Sequence, residues 1–290
     1  MVGAGAAAPC TAHTWSSEKA GVTNRAESAY FWDINAAQDR ELSSYLAGPR
    51  RPMAYQRNHH ARQLFDGIAA QYDWAPGLFS FFQYQRWRRY LVSRLQVGPD
   101  STILDLCTGS AGVAMLTAQT HHCRVVGVDL SPKMLSRAQH NLAGNGLTGQ
   151  VPLVMGRAED LAFADECFDA VCVTFLLRYV DDPESTMREI IRVLKPGGRL
   201  LSLEFGVPSN AVARALWQVY TRAMLPMAGA LVSRGWKDVG AFLGPSISRL
   251  HQSNTESNVR ELWLRLGIQD VQVKRLSLGG AVVMWGAKAG

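Results

Sequence analysis

An α/β fold, with a mostly parallel sheet covered by helices on both faces, is predicted by three features of the sequence. From residue 101 onward, short apolar runs rich in β-formers alternate with stretches of helical periodicity. Two of those runs close on an aspartate, Asp105 and Asp129. The first then enters a turn of small residues that opens an apolar helix, the arrangement in which α/β proteins hold nucleotide-like ligands.

The strands follow from length and composition. "STILDL" (101–106), "RVVGVDL" (124–130), "VPLVMG" (151–156), "FDAVCVTF" (168–175) and "GRLLSLEF" (198–205) are too short for buried helices and read as buried strands. Helices are expected over 131–143 and 183–194, with "KPGG" (195–198) as a tight turn into the fifth strand. Residues 209–233 and 256–266 read as helical, and "VQVKRLSL" and "AVVMWGAK" as a terminal hairpin through Gly279 and Gly280. Ahead of the sheet, 58–72 places Leu64, Phe65, Ile68 and Ala69 on one helical face, and 77–95 is aromatic on one side and arginine-rich on the other. Residues 1 to about 28 are small, polar and aperiodic, and a helix is expected over 28–46 before "GPRRP" breaks it. The chain thus divides into an N-terminal extension (1–55) and a main domain (56–290) with a helical entrance or lid (58–95) and a substrate-side insertion (206–255).

The balance of 30 basic to 24 acidic residues, net +6, fits a mildly basic solvated surface. The five cysteines show no C-x-x-C spacing and read as reduced, which fits a cytoplasmic protein. The start lacks the pattern of a secretory signal. The longest uncharged apolar stretches, 223–233 and 276–287, are too short to span a bilayer.

The loop identifies the ligand class. Thr108, Gly109, Ser110 and their neighbours allow close approach to backbone N–H groups, and an acid at the end of the second strand suits the two hydroxyls of a ribose. The loop lacks both the G-x-G-x-x-G spacing and a Walker lysine. Asp105 at its mouth would repel a diphosphate and attract a cation, so a nucleoside with a positive centre, S-adenosyl-L-methionine, satisfies both acids. Ala111 adds a methyl group where glycine would be usual, and weakened or displaced cofactor binding is expected from it.

Several motifs together carry a family resemblance. "FDGIAAQYDWAPGLFSFFQYQRWRR", "ILDLCTGSAG", "VVGVDLSPKML", "GRAEDLAFADECFDAVCVTFLLRYVDD", "RVLKPGGRLLSLEFGVP", "LPMAGALVS" and "LGGAVVMWGAK" resemble segments of the UbiE/MenG family of ubiquinone- and menaquinone-biosynthesis C-methyltransferases, from about Ala61 to Lys288. These enzymes are class I methyltransferases. The resemblance implies a Rossmann-like, seven-stranded sheet with an antiparallel C-terminal strand. It also implies that Asp105 and Gly109 flank the methionine part of the cofactor and that Asp129, with Leu130, takes the ribose. Met134 would pack near the adenosine, Arg157, Ala158 and Glu159 would line the adenine, and Thr174 would close the pocket. Tyr72 and Asp73 would belong to a lid.

For the chemistry, the resemblance implies methyl transfer to a ring carbon of a quinol, whose hydroxyl must lose a proton. Arg178 matches the arginine of the family's G-L-R-N segment. It cannot act as a base, but could stabilise a developing phenolate or orient a water; the alternative is a surface ion pair with Asp181 or Asp182. Tyr84 and His251 are weaker candidates for substrate contact. No metal is expected, since the adjacent histidines lack ligand spacing. The sequence departs from the family at Ala111, Arg157, Tyr84 (for His) and Tyr179 (for Asn), which leaves a natural-product aromatic acceptor, another quinone modification or a non-catalytic scaffold as alternatives. The expected partner is a small aromatic or quinol molecule, lipid-linked in the leading reading. Nucleic acid is not expected, for want of an RNA-binding module or an N-P-P-Y/F motif after the fourth strand. The arginine-rich stretch 86–94 and the amphipathic stretch 209–233 suit either peripheral contact with a membrane or an interface such as a homodimer's.

Overall fold

A computed structural model describes residues 54–253 and 255–290; the extension helix expected over 28–46 lies outside them. Seven strands form one sheet in the order β3-β2-β1-β4-β5-β7-β6. They are β1 (Thr102–Leu106), β2 (Arg124–Asp129), β3 (Leu153–Met155), β4 (Phe168–Thr174), β5 (Leu194–Phe205), β6 (Ile268–Leu276) and β7 (Ala281–Lys288). The first five run parallel, and β7 pairs antiparallel with both β5 and β6. This is the predicted architecture. Central β1 and β4 are mostly apolar because helices cover both faces, Thr102, Asp105, Asp169 and Thr174 being the exceptions, and Ile103, Leu104, Val171 and Cys172 are fully buried.

Three entrance helices, α1 (Ala54–Asp66), α2 (Ala75–Phe79) and α3 (Gln83–Val92), precede the sheet. Helices α4 (Gly112–His121), α5 (Pro132–Gly144) and α6 (Pro183–Val193) make the crossovers. Two of these have strong starts. Ser131 caps α5 by accepting from the Met134 N–H, and Asp182 caps α6 by accepting from the N–H groups of Glu184 and Ser185, each helix beginning with a proline.

The strand after α6 begins earlier than predicted. "KPGG" is part of β5, where Gly197 at φ 72° lets the chain bulge opposite Asp169 before the register with β4 resumes at Arg199. The insertion after β5 is α7 (Ala211–Val219), a π-turn (Tyr220–Met224), α8 (Leu225–Val232) and the long α9 (Arg234–Ser253), followed by α10 (Glu256–Arg265). The insertion's first half lies tightly on α9. A Cβ on Gly240 would come within 2.9 Å of the backbone of Leu225 and Pro226.

Candidate active site

A crevice lies where strand order reverses, at the carboxyl ends of β1, β2 and β4, as open α/β sheets dictate. Its floor is the turn from β1 into α4. Gly109 has φ 55°, and a Cβ there would touch the Tyr72 ring at 3.4 Å. Its N–H donates to Asp129 Oδ2 at 2.8 Å, while the Ser131 N–H donates to Oδ1 at 2.9 Å. The half-buried Asp129 carboxylate is thus aimed from behind, with lone pairs left for hydroxyl donors in the crevice. Loss of solvation pushes its pKa up to about 6, against the lowering effect of those backbone N–H groups.

A roof folds over this floor. Asp73 pairs with Arg137 and accepts from Asn141 Nδ2 at 2.8 Å, and the same Asn141 amide donates to the Ser110 carbonyl at 3.1 Å. Ser131 Oγ donates to Asp66 at 2.5 Å, and Asn58 Nδ2 donates to Glu159 at 3.0 Å. The entrance segment is therefore tied to both the β1–α4 turn and the chain leaving β3.

Among the residues predicted from sequence, Tyr72, Tyr84, Thr108, Gly109, Ser110, Asp129, Leu130, Met134, Arg157, Ala158, Glu159 and Thr174 all line this crevice. Three others do not. Asp105 is completely buried beneath the loop, accepting from Thr108 Oγ1 at 2.6 Å and the Ala114 N–H at 3.0 Å. Burial raises its pKa to about 7 in spite of those bonds. It organises the loop from below and does not stand at its mouth. His251 is exposed on α9 and takes no part in the lining.

Arg178 lies behind the wall, its side chain only 2% exposed. It pairs with neither Asp181, which holds Arg57 at 3.1 Å, nor Asp182, which caps α6. Its guanidinium sits 3.5 Å from Glu204 and is ringed by aromatics, with its Cζ 4.9 Å from the Phe205 ring centre and 5.1 Å from that of Tyr179. The Arg178–Glu204 contact explains why a glutamate stands next to last in β5, a residue with no role in the sequence reading.

Ala111 also departs from expectation. Its φ is 65°, the costly case for an alanine, yet its methyl is fully buried in the hydrophobic core and it does not line the crevice. The alanine strains the loop while its methyl lies in the core and not in the crevice lining.

The sequence reading missed the crevice's apolar wall. Phe65, Phe175, Leu176 and Tyr179 face the cofactor loop across it, with Asn58 and Arg62 at the rim. Phe175 stacks on Phe205 at 4.3 Å and on Tyr84 at 6.0 Å, and Tyr179 stacks on Phe242 at 5.9 Å. Periodicity marks Phe65 as core, and Tyr179 is visible in the sequence only as a departure from the family motif. Burial pushes the phenols of Tyr72 and Tyr179 above their usual range, so both remain hydrogen-bond donors at ordinary pH. Among the described residues, no group of three or more His, Cys, Asp or Glu side chains could hold a metal ion.

A family model described as the ubiE/COQ5 methyltransferase family matches residues 53–288. The chain belongs to the ubiE/COQ5 methyltransferase family. A ubiquinone/menaquinone biosynthesis C-methyltransferase of Desulfotalea psychrophila is 32% identical over 240 residues, covering 82% of this chain and 94% of that one. A demethylmenaquinone methyltransferase of Lactiplantibacillus plantarum is 29% identical over 238 residues, 81% of this chain and 99% of its own.

Solved structures share the fold at lower identity. Geranyl diphosphate C-methyltransferase of Streptomyces coelicolor superposes with a TM-score of 0.51 at 16% identity, covering 70% of this chain and 78% of that one. The cyclase SpnF gives 0.53 at 18%, covering 83% and 98%. A methyltransferase and a cyclase on one frame show that the fold alone does not choose the reaction. Family membership does: the chain is an S-adenosyl-L-methionine-dependent methyltransferase. The crevice fits that cofactor, since the backbone-braced Asp129 carboxylate keeps lone pairs for hydroxyl donors and the small residues of the β1–α4 turn, Thr108, Gly109 and Ser110, line the crevice beside it.

Proposed function

We propose that this enzyme methylates a ring carbon of a quinol that carries a lipid tail, with Asp129 binding the cofactor's ribose and the Phe65–Phe175–Leu176–Tyr179 wall receiving the ring. The observation that carries the reading is the division of one crevice into two chemistries. One side is backbone, small residues and a carboxylate; the other is aromatic and phenolic. Relatives named for ubiquinone, menaquinone and demethylmenaquinone support the ring class.

Bound at this site, the cofactor supplies an electrophilic methyl group on a positively charged sulfur. The protein's part is placement and electrostatics. The lid bonds of Asp73, Asp66 and Asn58 hold water away from the reacting groups. A quinol hydroxyl has a pKa of about 10, so its ring carbon becomes nucleophilic only as the oxygen gains negative charge. The protonated phenols of Tyr72 and Tyr179 can donate to that oxygen. Arg178 acts through the wall: its charge, 5.1 Å from the Tyr179 ring centre, makes that phenol a better donor. It is a positioning residue, and Glu204 fixes it.

The test is methyl transfer from radiolabelled cofactor to a demethylmenaquinol with an isoprenoid tail, run beside a tail-free phenol. Labelling of the ring carbon of the tailed quinol is expected. Labelling of the soluble phenol alone would sink the lipid-quinol reading.

A further inference from the structure

The insertion displays an apolar face that the active site does not use. Val212, Leu216 and Val219 on α7, Met224 at the end of the π-turn, and Met227 and Leu231 on α8 are all largely exposed, Leu231 at 90%. Their spacings of four, three, five, three and four residues break helical periodicity only across the π-turn. There the wider i to i+5 winding absorbs the extra residue, so the six side chains stay on one stripe. The opposite side, with Thr221, Leu225 and Gly229, is buried against α9.

A second apolar element adjoins the stripe. Tyr220 donates its hydroxyl to the Phe79 carbonyl, and its ring lies 5.6 Å from that of Phe81. Phe81 and Phe82 are 67% and 68% exposed, and both occupy left-handed backbone, at φ 51° and 60°. A bulky side chain in that region is strained, and no burial compensates here. Such a turn is kept for what it presents outward.

The two stretches of chain that carry these elements hold charge of one sign. Residues 74–99 and 205–237 contain seven arginines and one lysine, and no aspartate or glutamate at all. A face for another protein would be expected to carry both signs, and a merely solvated helix would not be apolar on its outer stripe. Apolar wedges set among cations fit an anionic bilayer, where the side chains enter the acyl boundary and the arginines meet phosphates. Among the described residues no helix is long and apolar enough to cross a membrane.

We infer that the α7–α8 stripe and the Phe81–Phe82 turn dock the enzyme on an anionic phospholipid surface. The inference rests on the lipid-linked quinol reading and adds its location. Tyr72, which lines the crevice, stacks on Trp236, and the Trp236 ring meets Phe79 just before the docked turn, so the crevice opens beside the surface that holds the quinol's tail.

The full chain would be sedimented with quinol-free vesicles of phosphatidylcholine, alone or with about one third phosphatidylglycerol. Binding is expected only to the second kind, weakening as salt is raised. Phe81→Ser/Phe82→Ser should bind at least about ten-fold more weakly at an unchanged thermal midpoint. That variant should methylate a tail-free quinol at the wild-type rate and a vesicle-borne one more slowly. Wild-type protein left in the supernatant, or undiminished binding by the double variant, would overturn the inference. So would a solution dimer that Leu216→Gln/Met227→Gln dissociates, which would assign the face to a second copy. Vesicle binding without methylation of any quinol would leave the docking face standing and remove the quinol reading. Methylation of detergent-held quinol without vesicle binding would do the reverse.

Discussion

Asp129 and Ala111 show how far single residues can be argued. Both Asp129 oxygens accept backbone N–H bonds, so Asp129→Asn turns one acceptor into a donor that faces an N–H. A loss of about 2–3 kcal/mol in affinity for S-adenosylhomocysteine is expected by calorimetry, roughly 30–150-fold, with the fold intact. At Ala111 two terms oppose each other. Glycine would relieve about 1 kcal/mol of left-handed strain, but would remove a buried methyl worth about 0.8 kcal/mol. Ala111→Gly should therefore change stability by less than about 1 kcal/mol in urea unfolding, and leave cofactor affinity nearly flat because the methyl faces the core. A tenfold gain in affinity would show that the methyl does reach the ligand. Tyr179→Phe removes a donor from the apolar wall and leaves the cofactor side untouched. It should lower kcat by about ten-fold or more with little change in S-adenosylhomocysteine affinity, whereas a parallel loss of both would mean a structural role.

At the level of elements, what could be read from sequence was whatever is local. Strands β1 and β2, their terminal acids and the loop between them are contiguous in sequence, and each signal repeats one physical cause: apolar residues for burial, small residues for close approach. The unread parts depend on distant partners. Glu204 meets Arg178 only after a full crossover, Asp66 meets Ser131 across the lid, and no periodicity distinguishes the crevice wall at Phe65 from core. The α8–α9 packing belongs to this unread class and makes a prediction. Gly240→Ala must push apart two backbones that a Cβ would approach to 2.9 Å, against a helix-propensity gain of about 1 kcal/mol. A net loss of about 1–2 kcal/mol is expected in urea unfolding. Gly144→Ala, whose Cβ meets nothing within 4 Å, should lose nothing. Equal effects at the two sites would mean that α8 and α9 do not pack this closely.

On the scale of the whole molecule, the desolvated carboxyls at and beneath the crevice make stability and ligand binding respond to pH in opposite directions. Asp105 and Asp129 have pKa values raised to about 7 and about 6, mainly by burial, so the folded protein binds their protons more tightly than the unfolded chain does. Where a folded-state carboxyl pKa is raised, unfolding releases protons, and stability falls as pH rises through the folded value. Buried Glu204 is shifted in the same direction. Cofactor-free protein should accordingly melt at a higher temperature near pH 5.5 than at pH 8, with most of the change between pH 8 and 6. Ligand affinity should run the other way, because a protonated Asp129 loses an acceptor for the ribose, so binding weakens as pH drops through about 6. Asp105→Asn separates the two effects. It keeps an oxygen to accept from Thr108 and Ala114, cannot ionise and does not line the crevice. Its melting temperature should vary less between pH 6 and 8, while its affinity profile keeps the wild-type midpoint. A wild-type melting slope in Asp105→Asn would place the linked proton on another group.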